Sequence, residues 1–353
     1  MPFLGGLILD SKGHRIGVLT FLVLTMIGHI AFTVAMQMRT YWLAVVGELI
    51  YGLGSGTVVV AQRAIVAKFF FDKELTFALG VTVAASCVAK TVAKASVAPI
   101  SDAYGGYVAA LWYVAFWQGL SLLAGLVYSA LVQKAEVRVG LKRSSECGHP
   151  DFSLQALLLT VKKSTTGFWL LTALHTLFIC AYHLFANYSG HYLTSTYEMS
   201  TVTAGYVSSL IPLTVVFIAP FAGLFLDRVG GQVYVLLVAA ALTLSSYIAL
   251  LHPSFAHPVL CILTLAICES FVPIVLLSAL PLVVDETVYG VAFGITEVVG
   301  SVGLLIGNFF MGYSRDITSS YHNDICAVAA LSLLGFVLVV WLLYWDRWYV
   351  IAS

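Results

Sequence analysis

Ten long apolar segments dominate the chain and leave few alternatives for its fold. They span about residues 16–37, 41–67, 76–99, 107–132, 167–190, 202–226, 233–252, 257–281, 288–313 and 325–345. Each is close to the roughly 20 apolar residues that cross a bilayer as a helix. Only 10% of all residues are charged, whereas a soluble domain carries about 25%. Backbone groups in lipid need internal hydrogen bonds, and no segment alternates like a barrel strand. The sequence therefore predicts an all-α multi-pass membrane protein embedded in a lipid bilayer.

A polar insert divides these segments into two groups. Residues 133–165 carry six basic side chains, and we interpret them as a cytoplasmic linker with a short interfacial helix at 151–163. The predicted organisation is an incomplete helix bundle over 1–132, a linker over 133–166 and a six-helix bundle over 167–353.

One short motif occurs at corresponding places in both groups. Residues 6–15 and 223–232 both contain G-x-x-x-D-x-x-G between two apolar segments. Their Asp residues lie 217 positions apart (227 minus 10), which indicates two related halves. The glycines permit a close turn, and the Asp pairs with basic groups or caps a helix. We expect these to be two gating loops that latch through charge pairs. The loop residues are Gly6, Asp10, Gly13, Arg15, Gly223, Asp227, Arg228 and Gly230.

The distribution of basic side chains indicates the orientation. If the loop at 10–15 is cytoplasmic and the segments alternate, twelve Lys and Arg residues fall on the cytoplasmic side and two, Arg39 and Arg315, on the other. Cytoplasmic loops of membrane proteins carry such an excess. Both motif loops and the linker are therefore predicted to be cytoplasmic. The net charge of zero gives no indication of nucleic acid binding.

Charged side chains inside the predicted spans are the first candidates for a site, because burial of charge in lipid is costly. Folding the hairpin of segments 41–67 and 76–99 at its turn places Glu48 and Lys94 at similar depth, with Lys90 one helical turn away. The functional interpretation is a zwitterion site, in which the lysines hold a carboxylate and Glu48 holds an ammonium group. The alternative is a structural ion pair whose lysines extend to the membrane surface.

Glu269 and Glu297 repeat this arrangement in the second half. Two acids in one low-dielectric cavity cannot both ionise at low cost, which suits proton coupling or an ammonium contact. The alternative places them on separate faces with local hydrogen bonds. Arg63, near a cytoplasmic helix end with Lys68, is interpreted as a loop anchor.

Polar and aromatic side chains recur along residues 175–192. His175 and Tyr182 suit either a peptide-like substrate or an interfacial aromatic belt, whereas His191 and Tyr192 favour the belt. The three histidines of this stretch do not share one helix face, so no metal site is expected, and no motif calls for a cofactor. The absence of H-E-x-x-H, G-x-S-x-G and phosphate-loop motifs argues against an enzyme.

Four further stretches carry a family resemblance. Together with the paired motif loops, residues 52–62, 73–80, 168–171 and 289–294 resemble the major facilitator superfamily, and within it the lysosomal dipeptide uniporters. This resemblance implies a secondary transporter that moves dipeptides or amino acids by alternating access. It implies the lysosomal membrane as location, with the plasma membrane as alternative. It also implies a glycosylated single-pass accessory subunit as a partner.

The chain departs from the family pattern in composition and in length. Gly56 and Cys87 stand where the family has an acidic and a basic residue, and the motif loops lack some basic residues. Six segments follow the linker, whereas four precede it. A plan of six plus six helices predicts that the first helix and most of the second are lacking. The rival interpretation is therefore a non-transporting membrane protein that acts as a partner or has no activity.

Overall fold

The computed structural model describes residues 5, 14–71, 74–104, 106–139, 166–252, 257–285, 288–318 and 321–352. Within these ranges the long helices are α1 (His14–Met38), α2 (Tyr41–Phe70), α3 (Leu75–Ala103), α4 (Tyr107–Val139), α5 (Thr166–Thr196), α6 (Thr201–Val229), α7 (Gln232–Leu251), α8 (Pro258–Ala279), α9 (Tyr289–Thr318) and α10 (His322–Ala352). All ten are long and apolar enough to cross a membrane, and each overlaps one predicted segment. The predicted all-α multi-pass fold is confirmed.

Local chemistry explains several helix ends. The Ser200 hydroxyl accepts a hydrogen bond from the Thr203 amide at 3.2 Å and caps the start of α6. Helix α6 ends at two glycines of the motif loop, Gly230 and Gly231, whose φ angles of 71° and 69° are unfavourable for other residues. Helix α8 passes into a short 3₁₀ turn, Leu280–Leu282, at Pro281, which has no amide hydrogen to continue the ladder.

The chain forms two compact units. The first comprises Met1–Phe69, Val92–Ser164 and Val284–Val298, and the second comprises Phe70–Thr91, Thr165–Val283 and Val299–Ser353. Helices α3 and α9 each contribute residues to both. The division into two pseudo-symmetric bundles around the linker stays a prediction, and the predicted interfacial helix at 151–163 lies outside the described residues.

In the first unit, α1 and α2 approach closely along a line of glycines. A side chain at Gly28 would meet the Tyr51 backbone nitrogen at 2.3 Å, and one at Gly47 would meet the Phe32 nitrogen at 2.6 Å. Such small residues allow helices to pack backbone against backbone in lipid. Helix α4 also packs against α1, where the His29 imidazole contacts the Leu111 carbonyl oxygen at 3.1 Å.

The core of the second unit contains buried tyrosines on and around α5. Tyr192 is 2% exposed, and its hydroxyl donates to the Leu250 carbonyl oxygen. Tyr247 is fully buried and donates to the Ala181 carbonyl oxygen at 3.0 Å. Each hydroxyl therefore has a partner, as buried tyrosines require. The assignment of Tyr192 to an interfacial belt was wrong, because its ring and hydroxyl lie inside the bundle; His191 is exposed.

Candidate functional site

Two opposite charges lie inside the spans of the second unit. Lys90 is near the middle of α3, and Glu269 is near the middle of α8. The Lys90 ammonium group is close enough to interact electrostatically with the Glu269 carboxylate. Lys90 is exposed and Glu269 is half-buried. Charges inside spans are rare, and an opposite charge nearby reduces their cost.

Helix α5 adds two polar rings to these charges. Tyr182 interacts electrostatically with Glu269, and His183 with Lys90. The two rings are neighbours, with centroids 5.2 Å apart at 76°. We call Lys90, Tyr182, His183 and Glu269 the mid-membrane cluster. It combines a cation, an anion, a hydroxyl and an imidazole from three helices, and can therefore bind both ends of a zwitterion.

The structure combines the sequence candidates differently from the hairpin argument. Depth along the hairpins matched Glu48 with Lys94, one turn from Lys90, and Glu269 with Glu297. Within the second unit, the structure brings Lys90 near Glu269. His183 belongs to the cluster but was considered only as part of the polar stretch of α5. Its position near the middle of α5 was the sequence feature that could have indicated a role in the site. His175, two turns earlier on α5, is buried, with 3% of its surface exposed.

Glu297 has a partner that the sequence analysis missed. The Arg63 Nη1 atom donates to Glu297 Oε2 at 2.6 Å, within the first unit. The two side chains are 17% and 22% exposed. The interpretation of Arg63 as a loop anchor was wrong, because its guanidinium joins α2 to α9. Glu48 is exposed on α2, and the side chain of Lys94 lies outside the described residues.

The motif loop at the end of α6 holds the beginning of α3. Asp227 Oδ1 accepts from the Thr76 amide at 3.2 Å, and Asp227 Oδ2 accepts from the Phe77 amide at 2.7 Å. These amides belong to the first turn of α3, where backbone donors lack partners within the helix. A carboxylate there also interacts favourably with the helix dipole. Within the described residues Asp227 thus caps a helix, one of the two alternatives that the motif offers, and the expected charge pair at this loop stays a prediction.

The glycine of this motif also has a steric role. A side chain at Gly223 would meet the Thr76 carbonyl oxygen at 2.5 Å, and one at Gly80 would meet the Ala219 carbonyl oxygen at 2.5 Å. Helices α3 and α6 therefore pack backbone against backbone. Beside this contact lies a cavity of about 340 Å³ with Glu74, Asp227 and Arg228 in its wall. The first motif copy, with Gly6, Asp10, Gly13 and the Arg15 side chain, lies outside the described residues.

Replacing Asp227 by alanine is expected to loosen the first turn of α3. Loss of a capping carboxylate costs about 0.5–2 kcal/mol, so backbone amides near Thr76 should exchange hydrogen about 2- to 30-fold faster. Hydrogen exchange with mass spectrometry measures this in detergent-solubilised protein. Asp285→Ala, an exposed acid, is the matched control. Unchanged exchange in the Asp227 variant would contradict the capping role.

A second ion pair lies at the predicted non-cytoplasmic end of the second unit. Arg315 Nε lies 3.1 Å from Asp324 Oδ2, and the Asp324 side chain is fully buried. The Arg315 guanidinium also lies over the rings of Tyr188 and Tyr321, at 5.2 Å and 5.1 Å from their centroids. Such cation–π contacts add to the ion pair. We call these four residues the far-side cage, which fastens α9 and α10 to α5.

No group of three or more His, Cys, Asp or Glu side chains in the described ranges is arranged to hold a metal ion.

In the part of the chain that the structure describes, ten helices are long and apolar enough to span a membrane, and two of them carry opposite charges half-way along. This is the arrangement of a polytopic membrane transporter. The chain belongs to the Major Facilitator Superfamily, which matches it over residues 1–308. The transporter class predicted from the sequence is thereby confirmed. This family consists of transporters, which agrees with the prediction that the protein is not an enzyme.

Individual relatives agree with this placement. The chain is 24% identical over 363 residues to the lysosomal dipeptide transporter MFSD1 of Danio rerio, covering 98% of this chain and 76% of that protein. It is 25% identical over 350 residues to the Homo sapiens protein of the same name, covering 96% and 74%. The solved structure of the human organic anion transporter MFSD10 (TETRAN) matches with a TM-score of 0.72 at 18% identity, covering 96% and 80%. This last similarity supports the fold alone.

Proposed function

We propose that this transporter carries small zwitterionic peptides, with dipeptides as the first candidate, by alternating access. The observation that carries the proposal is the proximity of Lys90 and Glu269, which lie on different helices and near the middle of each. The relatives named as dipeptide transporters support the same substrate class.

The cluster matches a zwitterion in charge. Lys90 supplies one positive charge for the substrate carboxylate, and Glu269 supplies one negative charge for its ammonium group. When the site is empty, the two side chains compensate each other. When a zwitterion binds, each exchanges its partner while the total charge stays zero. The Coulomb cost of a net charge in a low-dielectric site is thus avoided in both states. Tyr182 and His183 supply hydrogen bonds beside these charges.

The remaining candidates have secondary roles in this proposal. Glu297 is available to a substrate only after its ion pair with Arg63 opens, so we assign it to the conformational change. Asp227 latches the cytoplasmic end through the start of α3 and releases it when that end opens. Glu48, Lys94 and His175 stay candidates for contacts along the route.

The proposed location is the lysosomal membrane, where export of dipeptides from protein degradation would be useful to a cell. This rests on the similarity to the transporters named above, as does the proposed association with a glycosylated single-pass subunit. Co-purification from native membranes is the direct measurement for that partner.

Uptake by protein reconstituted in liposomes tests the substrate class. We expect a labelled dipeptide to enter protein-containing vesicles and to be displaced by unlabelled dipeptide. N-acetylation or C-terminal amidation removes one terminal charge, and each is expected to weaken displacement about 10-fold or more, because a hydrogen bond to a charged group contributes about 1.5–3 kcal/mol. Equal displacement by the blocked peptides would contradict the zwitterion site. No uptake by folded protein would favour the non-transporting alternative.

A further inference from the structure

Two asparagines face each other inside the spans of the second unit. Asn187 of α5 donates through its Nδ2 to Asn308 Oδ1 of α9 at 3.5 Å. Asn308 in turn donates to the Leu304 carbonyl oxygen of its own helix at 2.9 Å. Both side chains are exposed. The 3.5 Å contact is at the long limit for a hydrogen bond, so it saturates neither amide.

The close packing of α5 and α9 explains this position. A side chain at Gly303 would meet Cys180 Sγ at 2.8 Å, and one at Gly307 would meet the Leu184 side chain at 2.5 Å. These two glycines, one turn apart, thus bring the helices together. Asn308 directly follows Gly307 and Asn187 lies three residues after Leu184, and the two amides meet at this level. Small residues at such positions permit close helix contact in membrane proteins.

Exposed amides at this level are not suited to lipid. A primary amide without partners in hydrocarbon costs several kcal/mol, and polar groups within spans ordinarily face protein or water-filled cavities. The neighbouring residues on α5 also indicate that this face of the helix is directed toward water or protein and not toward lipid. His183 belongs to the mid-membrane cluster, and Asn187 and the exposed His191 follow at intervals of four residues. These three lie within about 80° around the helix axis and about 6 Å apart along it. They form a polar track from the cluster toward the predicted non-cytoplasmic end.

The chemistry of the pair fits a peptide bond. Within the contacts described, Asn187 keeps its carbonyl oxygen as an acceptor, and both amides keep N–H donors. A peptide group offers the complement, one N–H and one C=O. Asn187 is one turn from His183, which is a distance of about two extended residues. A small peptide held by its termini at the cluster can therefore reach the pair.

We propose that Asn187 and Asn308 form an amide subsite that binds the peptide bond of the substrate on its route from the non-cytoplasmic side. The inference rests on the proposed function, which it deepens by assigning the feature that separates peptides from free amino acids and from esters. It adds two residues of the second unit to those that contact the substrate.

An ester analogue tests the recognition of the amide. Alanyl-lactate has the shape of alanyl-alanine but lacks the peptide N–H. Wild-type protein is expected to take up alanyl-alanine about 3- to 10-fold better, which corresponds to one net hydrogen bond. In Asn187→Ala and Asn308→Ala this ratio should fall to about 1, mainly through loss of dipeptide uptake. Asn323→Ala, an exposed asparagine on α10, is the matched control and should keep the wild-type ratio. An unchanged ratio in either subsite variant would overturn the assignment.

Thiol labelling tests the position of the pair independently of any substrate. In a background with Cys147 and Cys326 replaced by serine, Asn187→Cys and Asn308→Cys should react with a small charged methanethiosulfonate reagent. Cys87, Cys180, Cys261 and Cys268 are buried and should react little. Phe217→Cys, 64% exposed on the apolar surface of α6, should stay unreactive in lipid.

The two assays separate the possible failures. Unreactive cysteines at both asparagine positions would overturn the subsite whatever the protein transports. Reactive cysteines in a protein that takes up no peptide would contradict the proposed function, and the peptide assignment of the pair with it. Protection of the cysteines by dipeptide, together with loss of the ester discrimination, would support both.

Discussion

Replacing Lys90 by alanine is expected to lower dipeptide uptake at low substrate concentration by about 10- to 100-fold. The substitution removes the only predicted cationic partner of the substrate carboxylate within the mid-membrane cluster, and a hydrogen bond to a charged group contributes about 1.5–3 kcal/mol. It also leaves the half-buried Glu269 carboxylate without its charged neighbour. Initial rates in liposomes measure the effect. Lys90→Arg keeps the charge and should retain part of the activity.

The two charges should be distinguishable by the peptide end that each one binds. Lys90→Ala should no longer discriminate against a C-amidated dipeptide, while it still rejects an N-acetylated one. Glu269→Gln should show the reverse pattern. Lys68→Ala and Glu198→Gln are the matched controls, because both wild-type side chains are exposed outside the cluster. If both cluster variants kept the wild-type preferences, the assignment of Lys90 and Glu269 to the substrate termini would be incorrect.

Arg315→Met should strongly destabilise the second unit. Methionine keeps part of the packing against Tyr188 and Tyr321 but leaves the fully buried Asp324 carboxylate without its cation. Removing one partner of a buried pair costs about 3–5 kcal/mol. Thermal unfolding in detergent, followed by dye binding to exposed cysteines, is the measurement, and a clearly lower midpoint is expected.

The reciprocal substitution should cost less. Asp324→Asn leaves Arg315, whose side chain is 34% exposed and keeps its contacts with both rings. Solvent can therefore stabilise the remaining charge. The double variant Arg315→Met with Asp324→Asn should be more stable than Arg315→Met alone, because no unpaired charge is buried. Simple addition of the two losses would contradict coupling between these side chains.

Much of the helical framework could be predicted because hydrophobicity acts locally. The segment at 233–252, for example, corresponds to α7 at Gln232–Leu251. A bilayer requires roughly 20 apolar residues per span, and each segment meets this requirement through its own composition. The turn at Gly230 and Gly231 was predictable for a similar reason, since positive φ angles favour glycine.

The partners of the charged residues could not be predicted in the same way. Folding each hairpin at its turn estimates depth along the membrane, but it contains no information on which helices lie side by side. Glu297 thus received Glu269 as its expected neighbour, whereas the structure pairs it with Arg63, 234 positions earlier in the chain. The motif allowed Asp227 to cap a helix, but only the structure shows that this helix is α3, through the Thr76 and Phe77 amides.

The sequence by itself determined the class of fold, the number of spans in the described ranges and the residues at mid-depth that carry charge, because these depend on composition and on spacing along one helix. Only the tertiary structure decided that Lys90, Glu269, Tyr182 and His183 come together, and that Asn187 meets Asn308. These contacts depend on how closely helices approach and on their rotation. Both are set by small residues such as Gly303 and Gly307, whose effect appears only when their neighbours across the interface are known.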